Sequence, residues 1–344
     1  MKLVSSLIGK LHNVRALNKM KPLIDAMDAG ILGPEDLTEG RPHLVDNVDI
    51  KRYMSMVILA LVPATLASIL FYRWDAIRLI AISYIVGGTV EVIFAIIRKH
   101  DIHEGFLITG LIFPLVLPPS TPSWIVAVGV VFGTMFGKEM FGGTGRNIFN
   151  PALVGRLFIT IAFPATMTTN WKMPFAAADA VTVATPLSAF KTEGITASFT
   201  DLLIGNTAGS MGETCRIVII LGGIFLILTK VSNWRVPVCY ISTVFLFALI
   251  GNHFLPERIA PPVFQVFAGG LLFGAFFMAT DPVTSPFTRT GKYIFGISCG
   301  ILTVLIRSFS GYVEGVMFSI VIMNAFNPLI DQIVLMFKYR PAKA

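Results

Sequence analysis

The sequence predicts an all-α, polytopic integral membrane protein of about ten transmembrane helices, in two inverted five-helix repeats with broken half-helices. Three observations predict this fold. Of the 344 residues, 54% are hydrophobic and only 14% are charged, whereas a soluble domain is about 25% charged. The apolar residues form ten runs, and one short motif occurs in each half of the chain. This composition excludes a soluble enzyme, a disordered protein and a disulfide scaffold.

The chain divides into five segments by polarity. Residues 1–52 are a polar N-terminal segment whose leucine spacing is typical of an amphipathic helix on a membrane surface. Two apolar halves, 53–165 and 215–337, flank a hydrophilic loop at 166–214, and 338–344 form a tail. The ten apolar runs are 54–73, 78–97, 105–119, 123–141, 148–165, 215–232, 235–252, 263–280, 293–308 and 314–337.

Several runs are too short or too interrupted for a simple span, which needs about 20 residues. The run 105–119 ends in the proline-rich stretch 117–122, and the run 263–280 ends at Asp281-Pro282. Such segments are typical of half-helices that end inside the bilayer beside a binding site.

The distribution of positive charge predicts the orientation. With ten spans, 19 of the 27 Lys and Arg residues lie on the side of the two termini and seven on the other side. We therefore expect cytoplasmic N- and C-termini and an external loop at 166–214. The net charge of +7 follows from this asymmetry, and no basic stretch interleaved with aromatic residues points to nucleic acid.

The repeated motif is Asn-x-Phe-Asn-Pro, at 147–151 and again at 324–328. Each copy belongs to the last run of a five-run half, so the two copies would cross the membrane in opposite directions. An inverted repeat of this kind places its site between the halves.

A glycine-rich stretch begins at Lys138 and ends at Asn147. Its glycines would let the backbone approach a flat ligand closely, with Asn147 and Asn150 bonding a polar heterocycle edge. Alternatively, it is a tight turn in which Asn147 caps the next helix. The pattern alone leaves both open.

Carboxylates within or beside apolar runs are costly, by about 2.5–3.5 kcal/mol for Asp. Glu91, Asp281 and Asp331 are therefore candidates for an ion pathway, although Asp281 could also be a helix cap. Glu314 is expected at a span edge, facing water. No Cys or His spacing supports a zinc or iron–sulfur site, so no metal site is predicted.

Taken in order, several long motifs resemble one family. These are DNVDIKRYM, VGGTVEVIF, IRKHDIHEGF, KEMFGGTGRNIFNPALVGR, IGNTAGSMGE, FFMATDPVTSPFTRTGK and FNPLID. The chain resembles the B subunit of the Na+-translocating NADH:quinone oxidoreductases and, more distantly, the D subunit of the Rnf electron-transport complexes. The short link between the first two spans departs from many sequences of the former, which carry an insertion there.

The resemblance implies FMN joined by a phosphoester to Thr185. By its pattern alone, the Thr-rich loop that contains Thr185 reads as a plain loop. Asp179 and Thr182 would support this flavin. The attachment motif departs from the family pattern, because Thr182 replaces Ser and Val183 replaces Gly, and a Val does not readily take positive φ.

The resemblance also implies a noncovalent riboflavin bound by Lys138, Asn147 and Asn150. A quinone site is implied at Gly87, Gly88 and Glu91, and Na+ movement is implied for Glu91, Asp281 and Asp331.

The same resemblance implies a bacterial inner-membrane complex with an FMN-bearing subunit and an NADH-oxidising FAD/iron–sulfur subunit. A flavin transferase would attach the FMN. NADH would bind elsewhere in the complex, because no GxGxxG follows a strand here. The alternatives are an Rnf-type subunit of a ferredoxin:NAD oxidoreductase and a non-redox channel or transporter of similar architecture.

Overall fold

The computed structural model describes residues 50–99, 105–175 and 183–339. Within these ranges the chain forms helices and no strand. The α-helices are α1 (Ile50–Tyr72), α2 (Trp74–Arg98), α3 (Gly105–Leu115), α4 (Ser123–Gly137), α5 (Pro151–Ala162), α6 (Pro164–Thr169), α7 (Pro186–Glu193), α8 (Phe199–Ile204), α9 (Arg216–Leu228), α10 (Arg235–Phe254), α11 (Pro262–Phe267), α12 (Leu271–Phe273), α13 (Arg289–Phe309) and α14 (Val316–Lys338). Two 3-10 turns cover Glu139–Phe141 and Met211–Glu213, and a π turn at Gly274–Met278 continues α12.

Six of the described helices are long and apolar enough to cross a membrane, namely α1, α2, α4 with its 3-10 extension, α10, α13 and α14. Large apolar side chains face outward on these and on shorter helices, as Leu70, Ile85 and Leu228 do. Such a surface suits lipid rather than water. The prediction of an all-α polytopic membrane protein is therefore confirmed, while the count of ten spans and the inverted repeat stay predictions.

Three apolar helices, α3, α5 and α9, are too short to span alone, with 11 to 13 residues each. Each is the helical core of a predicted apolar run. The amphipathic N-terminal helix, Asp179 and Thr182 lie outside the described residues.

The packing partners of the first five apolar helices recur in the second set. α2 packs against α3 and α4, and α4 packs against α5; likewise α10 packs against α11 and α13, and α13 against α14. α1 packs against α9 and thereby joins the two sets. The two copies of the repeated motif nevertheless differ locally, because Pro151 begins α5 whereas Pro328 lies inside α14.

The run 263–280, which was predicted to end at Asp281-Pro282, is also broken in its middle. α11 ends at Phe267, and Gly269 has φ +65°, which an L side chain rarely adopts. A Cβ at Gly269 would lie 2.2 Å from Oε2 of Glu314, and one at Gly270 would lie 2.3 Å from Oε1 of Glu213. The glycine pair therefore lets two carboxylates reach the backbone of a broken helix.

The end of the hydrophilic loop 166–214 returns into the bundle. The Ser68 hydroxyl donates to the Met211 carbonyl at 2.7 Å, and the Met211 N–H donates to the Leu117 carbonyl at 3.2 Å. The hydroxyls of Tyr72 and Thr214 lie 3.0 Å apart. These bonds fix the loop end where α1 and α3 finish, and they bring its polar side chains inside the protein.

Candidate functional site: two clefts at opposite ends of the bundle

Thr185 lies at the edge of a cleft of about 930 Å³, which we call the Thr185 cleft. Its hydroxyl caps α7, accepting from the Ser188 N–H at 3.3 Å, and Pro186 occupies the first helical position. A cap followed by proline fixes the start of a helix. The half-buried hydroxyl is therefore held in one place and still faces the cleft.

The departure at Val183 does not strain the loop. The non-glycine residues with positive φ in the described ranges are Arg73, Lys99, Phe175 and Lys230, and Val183 is not one of them. Its N–H donates to the Trp171 carbonyl at 3.2 Å. The backbone beside Thr185 therefore accepts a Val where the family motif has Gly.

Lys191 anchors α7 to the end of α13. Its Nζ donates to the carbonyl oxygens of Arg307, Ser310 and Tyr312 at 3.1, 2.6 and 2.9 Å. A cation suits the unpaired carbonyls at a helix C-terminus, and burial lowers the pKa of Lys191. Leu187, in a small apolar cluster that includes Phe264, holds the other side of α7.

Sequence reasoning gave no functional role to the charged residues that line the Thr185 cleft, which are Arg156, Arg216, Glu213 and Glu314. Arg216 donates to the carbonyls of Phe267 and Thr214 at 2.9 and 2.8 Å. An arginine inside an apolar run is itself a functional signal, so Arg156 could have been singled out from the sequence.

Glu314, which was expected at a span edge facing water, is partly exposed, with 20% of its side chain accessible. Its carboxylate pairs with Arg307 at 2.8 Å and accepts from the Gly270 N–H at 3.1 Å. Glu213 is buried in the 3-10 turn between α8 and α9, where burial first, and the charge of Glu314 second, raise its pKa to about 7. The break in the run 263–280 thus lies against two glutamates, one paired with an arginine and the other buried.

A second cleft, of about 700 Å³, collects four residues that the sequence predicted, Lys138, Asn147, Asn150 and Asp281. We call it the Asn150 cleft. Asp281 lies between α12 and α13, and one of its oxygens accepts from the Val283 N–H at 3.1 Å. Two predictions made separately, for a flavin and for an ion pathway, therefore fall on one cavity.

The cap of α5 is Asn150 rather than Asn147. The Asn150 Oδ1 accepts from the N–H groups of Ala152 and Leu153 at 3.1 and 3.4 Å, because Pro151 takes the first helical position. Asn147 instead closes the glycine-rich turn, accepting from Gly145 N–H and donating to the Phe149 carbonyl. The Asn150 Nδ2 bonds to no described residue, so it stays available to the cleft.

Lys138 and Glu91 form a buried ion pair, with 2.5 Å between Nζ and Oε1. Together with Gly87 and Gly88, Glu91 also lines a small cavity, which leaves no room for a water molecule. Thr109 lines both this cavity and the Asn150 cleft. The predicted quinone residues are therefore neighbours of the predicted riboflavin residues.

The structure does not bring Asp331 to either cleft. Its two oxygens accept from the N–H groups of Phe287 and Thr288 at 2.9 and 3.1 Å, and from the Thr288 hydroxyl. Thr288 caps α13. Asp331 therefore stabilises the N-terminus of α13 through these hydrogen bonds. Its part in ion movement stays a prediction.

The two clefts lie at opposite ends of the same helices. On α5, Pro151 lines the Asn150 cleft and Thr160 lines the Thr185 cleft. On α9, Leu226 lines the Asn150 cleft and Arg216 lines the Thr185 cleft. At 1.5 Å per residue, these pairs are about 14–15 Å apart along the helix axes. Within the described residues, no group of three or more His, Cys, Asp or Glu could hold a metal ion.

Comparison with known proteins identifies the family. Three relatives are named as the B subunit of a Na(+)-translocating NADH-quinone reductase. They come from Ectopseudomonas mendocina (37% identical), Azotobacter vinelandii (38%) and Klebsiella pneumoniae strain 342 (34%). The alignments cover 92%, 92% and 95% of this chain, and the same shares of the relatives. The model of the NQR2, RnfD, RnfE family matches residues 37–340, and the chain belongs to that family.

Proposed function

We propose that this chain is the membrane-embedded B subunit of a Na+-translocating NADH:quinone reductase. It relays electrons through covalent FMN and noncovalent riboflavin to quinone, coupled to Na+ export. The observation that carries the proposal is the pair of clefts. One presents the Thr185 hydroxyl, and the other gathers the riboflavin residues beside the Glu91 cavity. The names of the three relatives support this choice over the Rnf branch.

The Thr185 cleft fits FMN on two counts. The attachment hydroxyl lies at the N-terminus of α7, where backbone N–H groups favour a phosphoester. Trp171, Tyr312 and Phe318 supply aromatic wall for a flat ring. When bound, the flavin supplies the electron-transfer chemistry; the protein orients it and excludes water.

The Asn150 cleft fits a neutral flavin that lacks a phosphate. The described residues that line it include amides and the carboxylate of Asp281, and its one cation, Lys138, is already paired with Glu91. The Asn150 Nδ2 would donate to a ring carbonyl, and Asp281 would accept from a ring N–H. The quinone would be reduced next to this cleft, at Gly87, Gly88 and Glu91.

Na+ export requires that ion affinity or access changes with the redox state of a flavin. Asp281, in the Asn150 cleft, would supply this link, with Glu91 and Asp331 along the path. The partners are an FMN-bearing subunit, an NADH-oxidising FAD/iron–sulfur subunit and the flavin transferase. We place the complex in the bacterial inner membrane, with ten spans in two inverted repeats, both termini cytoplasmic and residues 166–214 outside.

Mass spectrometry of the peptide that contains Thr185 tests the proposal, with the protein made beside its flavin transferase. We expect the mass of FMN on the wild-type peptide and flavin fluorescence in denaturing gels. The variant Thr185→Ala should lose both. Thr168→Ala, which removes another hydroxyl from the same cleft, should keep both.

Wild-type protein without flavin would refute the redox function and favour the channel or transporter. Flavin on the peptide, in a complex that does not reduce quinone with NADH, would move the chain to the Rnf branch.

A further inference from the structure

Arg156 has a buried guanidinium without an oxygen partner. The residue is 4% exposed, and its Nε and Nη1 face the sulfur atoms of Met317 and Met167 at 3.2 and 3.8 Å. A guanidinium carries five N–H donors, and a thioether is a weak acceptor. Among the described residues it donates to no carbonyl, hydroxyl or carboxylate.

The other two arginines of this region differ from Arg156. Arg216 donates to two carbonyls and a hydroxyl, and Arg307 pairs with Glu314. Burying a charge without such partners is costly. The N–H groups of Arg156 are therefore poised for an acceptor that enters the Thr185 cleft from outside the chain.

The surroundings indicate what that acceptor is. Trp171 lies 6.0 Å from the guanidinium carbon, and Tyr312 and Phe318 line the same cleft with rings 4.5 Å apart. Glu314 is already paired with Arg307. The cleft thus combines an aromatic wall with the N–H donors of Arg156, which suits a planar ring that carries an oxygen edge and gains negative charge.

We propose that Arg156 is a positioning residue that would donate to the N1–C2=O edge of FMN on Thr185 and favour the reduced flavin. This inference rests on the proposed attachment of FMN to Thr185. Arg156 would face one negative charge at that edge once two electrons from the upstream flavin protein and one proton from water have been taken up, with N1 left deprotonated. A fixed cation at that edge stabilises the charge without reorganisation, and charge-assisted hydrogen bonds are about twice as strong as neutral ones.

The test is a redox titration of the purified complex, followed by flavin absorbance. The signal of this flavin is obtained as the difference from a Thr185→Ala complex. Arg156→Gln should weaken the preference for the reduced form about 10- to 100-fold, which is about 30–60 mV for a two-electron couple. Arg156→Lys should keep most of it, and Arg258→Gln, in the exposed loop before α11, should change nothing.

A second measurement uses the wild-type complex alone. Below the pH at which N1 of free reduced flavin takes up its proton, the bound flavin should still take up one proton per two electrons. Two protons per two electrons would overturn the proposal, as would an unchanged potential in Arg156→Gln. In either case, detection of FMN on the Thr185 peptide would still support the proposed function. A wild-type peptide without FMN would remove the proposed function itself.

Discussion

Replacing Glu91 by Gln should destabilise the protein by about 3–5 kcal/mol, the usual cost of leaving a buried charge unpaired. The side chains of Lys138 and Glu91 are 4% and 6% exposed, and their charged atoms are 2.5 Å apart. At an effective dielectric constant of about 20, that separation gives an attraction of about 7 kcal/mol before desolvation. Removing one charge keeps the desolvation cost of the other.

The assay is a double-mutant cycle on equilibrium unfolding in detergent, followed by tryptophan fluorescence. Glu91→Gln and Lys138→Met should each be strongly destabilising, and the double variant should recover at least about 2 kcal/mol. The matched control is Lys172 with Asp75, a pair at 3.1 Å whose side chains are 19% and 29% exposed; its coupling should stay below about 1 kcal/mol.

Additive effects at Glu91 and Lys138 would refute the structural role of this pair. In that case a loss of Na+ transport in Glu91→Gln, with stability unchanged, would assign Glu91 to the ion pathway.

Three further outcomes follow from other contacts. Gly87→Ala should be less stable than Gly88→Ala by about 1 kcal/mol, because a Cβ at Gly87 would lie 3.0 Å from Val130 Cγ2, whereas a Cβ at Gly88 would lie 3.9 Å from its nearest neighbour, Phe106 Cε2. Thermal unfolding in detergent measures the difference, and equal stability of the two variants would contradict this packing. Lys191→Met should lower the free energy of unfolding by about 1–2 kcal/mol and reduce flavin attachment at Thr185. Fluorescence of denaturing gels measures the attachment, and Glu193→Gln on the same helix is the control. Burial raises the pKa of Glu213 to about 7, so between about pH 4.5 and 7 the native state binds a proton that the unfolded state has lost. The free energy of unfolding should therefore fall as pH rises through this range, by at most about 1.4 kcal/mol per pH unit. Glu213→Gln should flatten this pH dependence, and an identical dependence in both proteins would contradict the burial of Glu213.

The apolar runs could be predicted because a bilayer leaves few choices to the backbone, whereas the break at Gly269-Gly270 was not predicted. The sequence reasoning offered Asn147 as the cap of α5, although Pro151 at the first helical position points to Asn150.

The pairing of Lys138 with Glu91 could not be predicted from the sequence, because 47 residues separate them. Only the packing of α2, which carries Glu91, against α4, which Lys138 directly follows, brings them together. The same holds for Glu213 and Glu314, which meet through the backbone of Gly269-Gly270. Periodicity reports which face of a helix is apolar, and it does not report which helix the polar exceptions will meet.

The properties that make α5 a poor transmembrane helix are the ones that the two clefts require. It has 12 residues, about 18 Å, against about 30 Å of hydrocarbon. Its start at Asn150-Pro151 leaves an amide in one cleft, and Arg156, six residues later and about 9 Å along the axis, reaches the other. Beyond Ala162 the chain leaves α5 at Phe163 and enters α6, whose Met167 and Thr168 line the Thr185 cleft. The shortness of α5 therefore lets two ligand sites approach each other across one helix, as a relay of electrons between them needs.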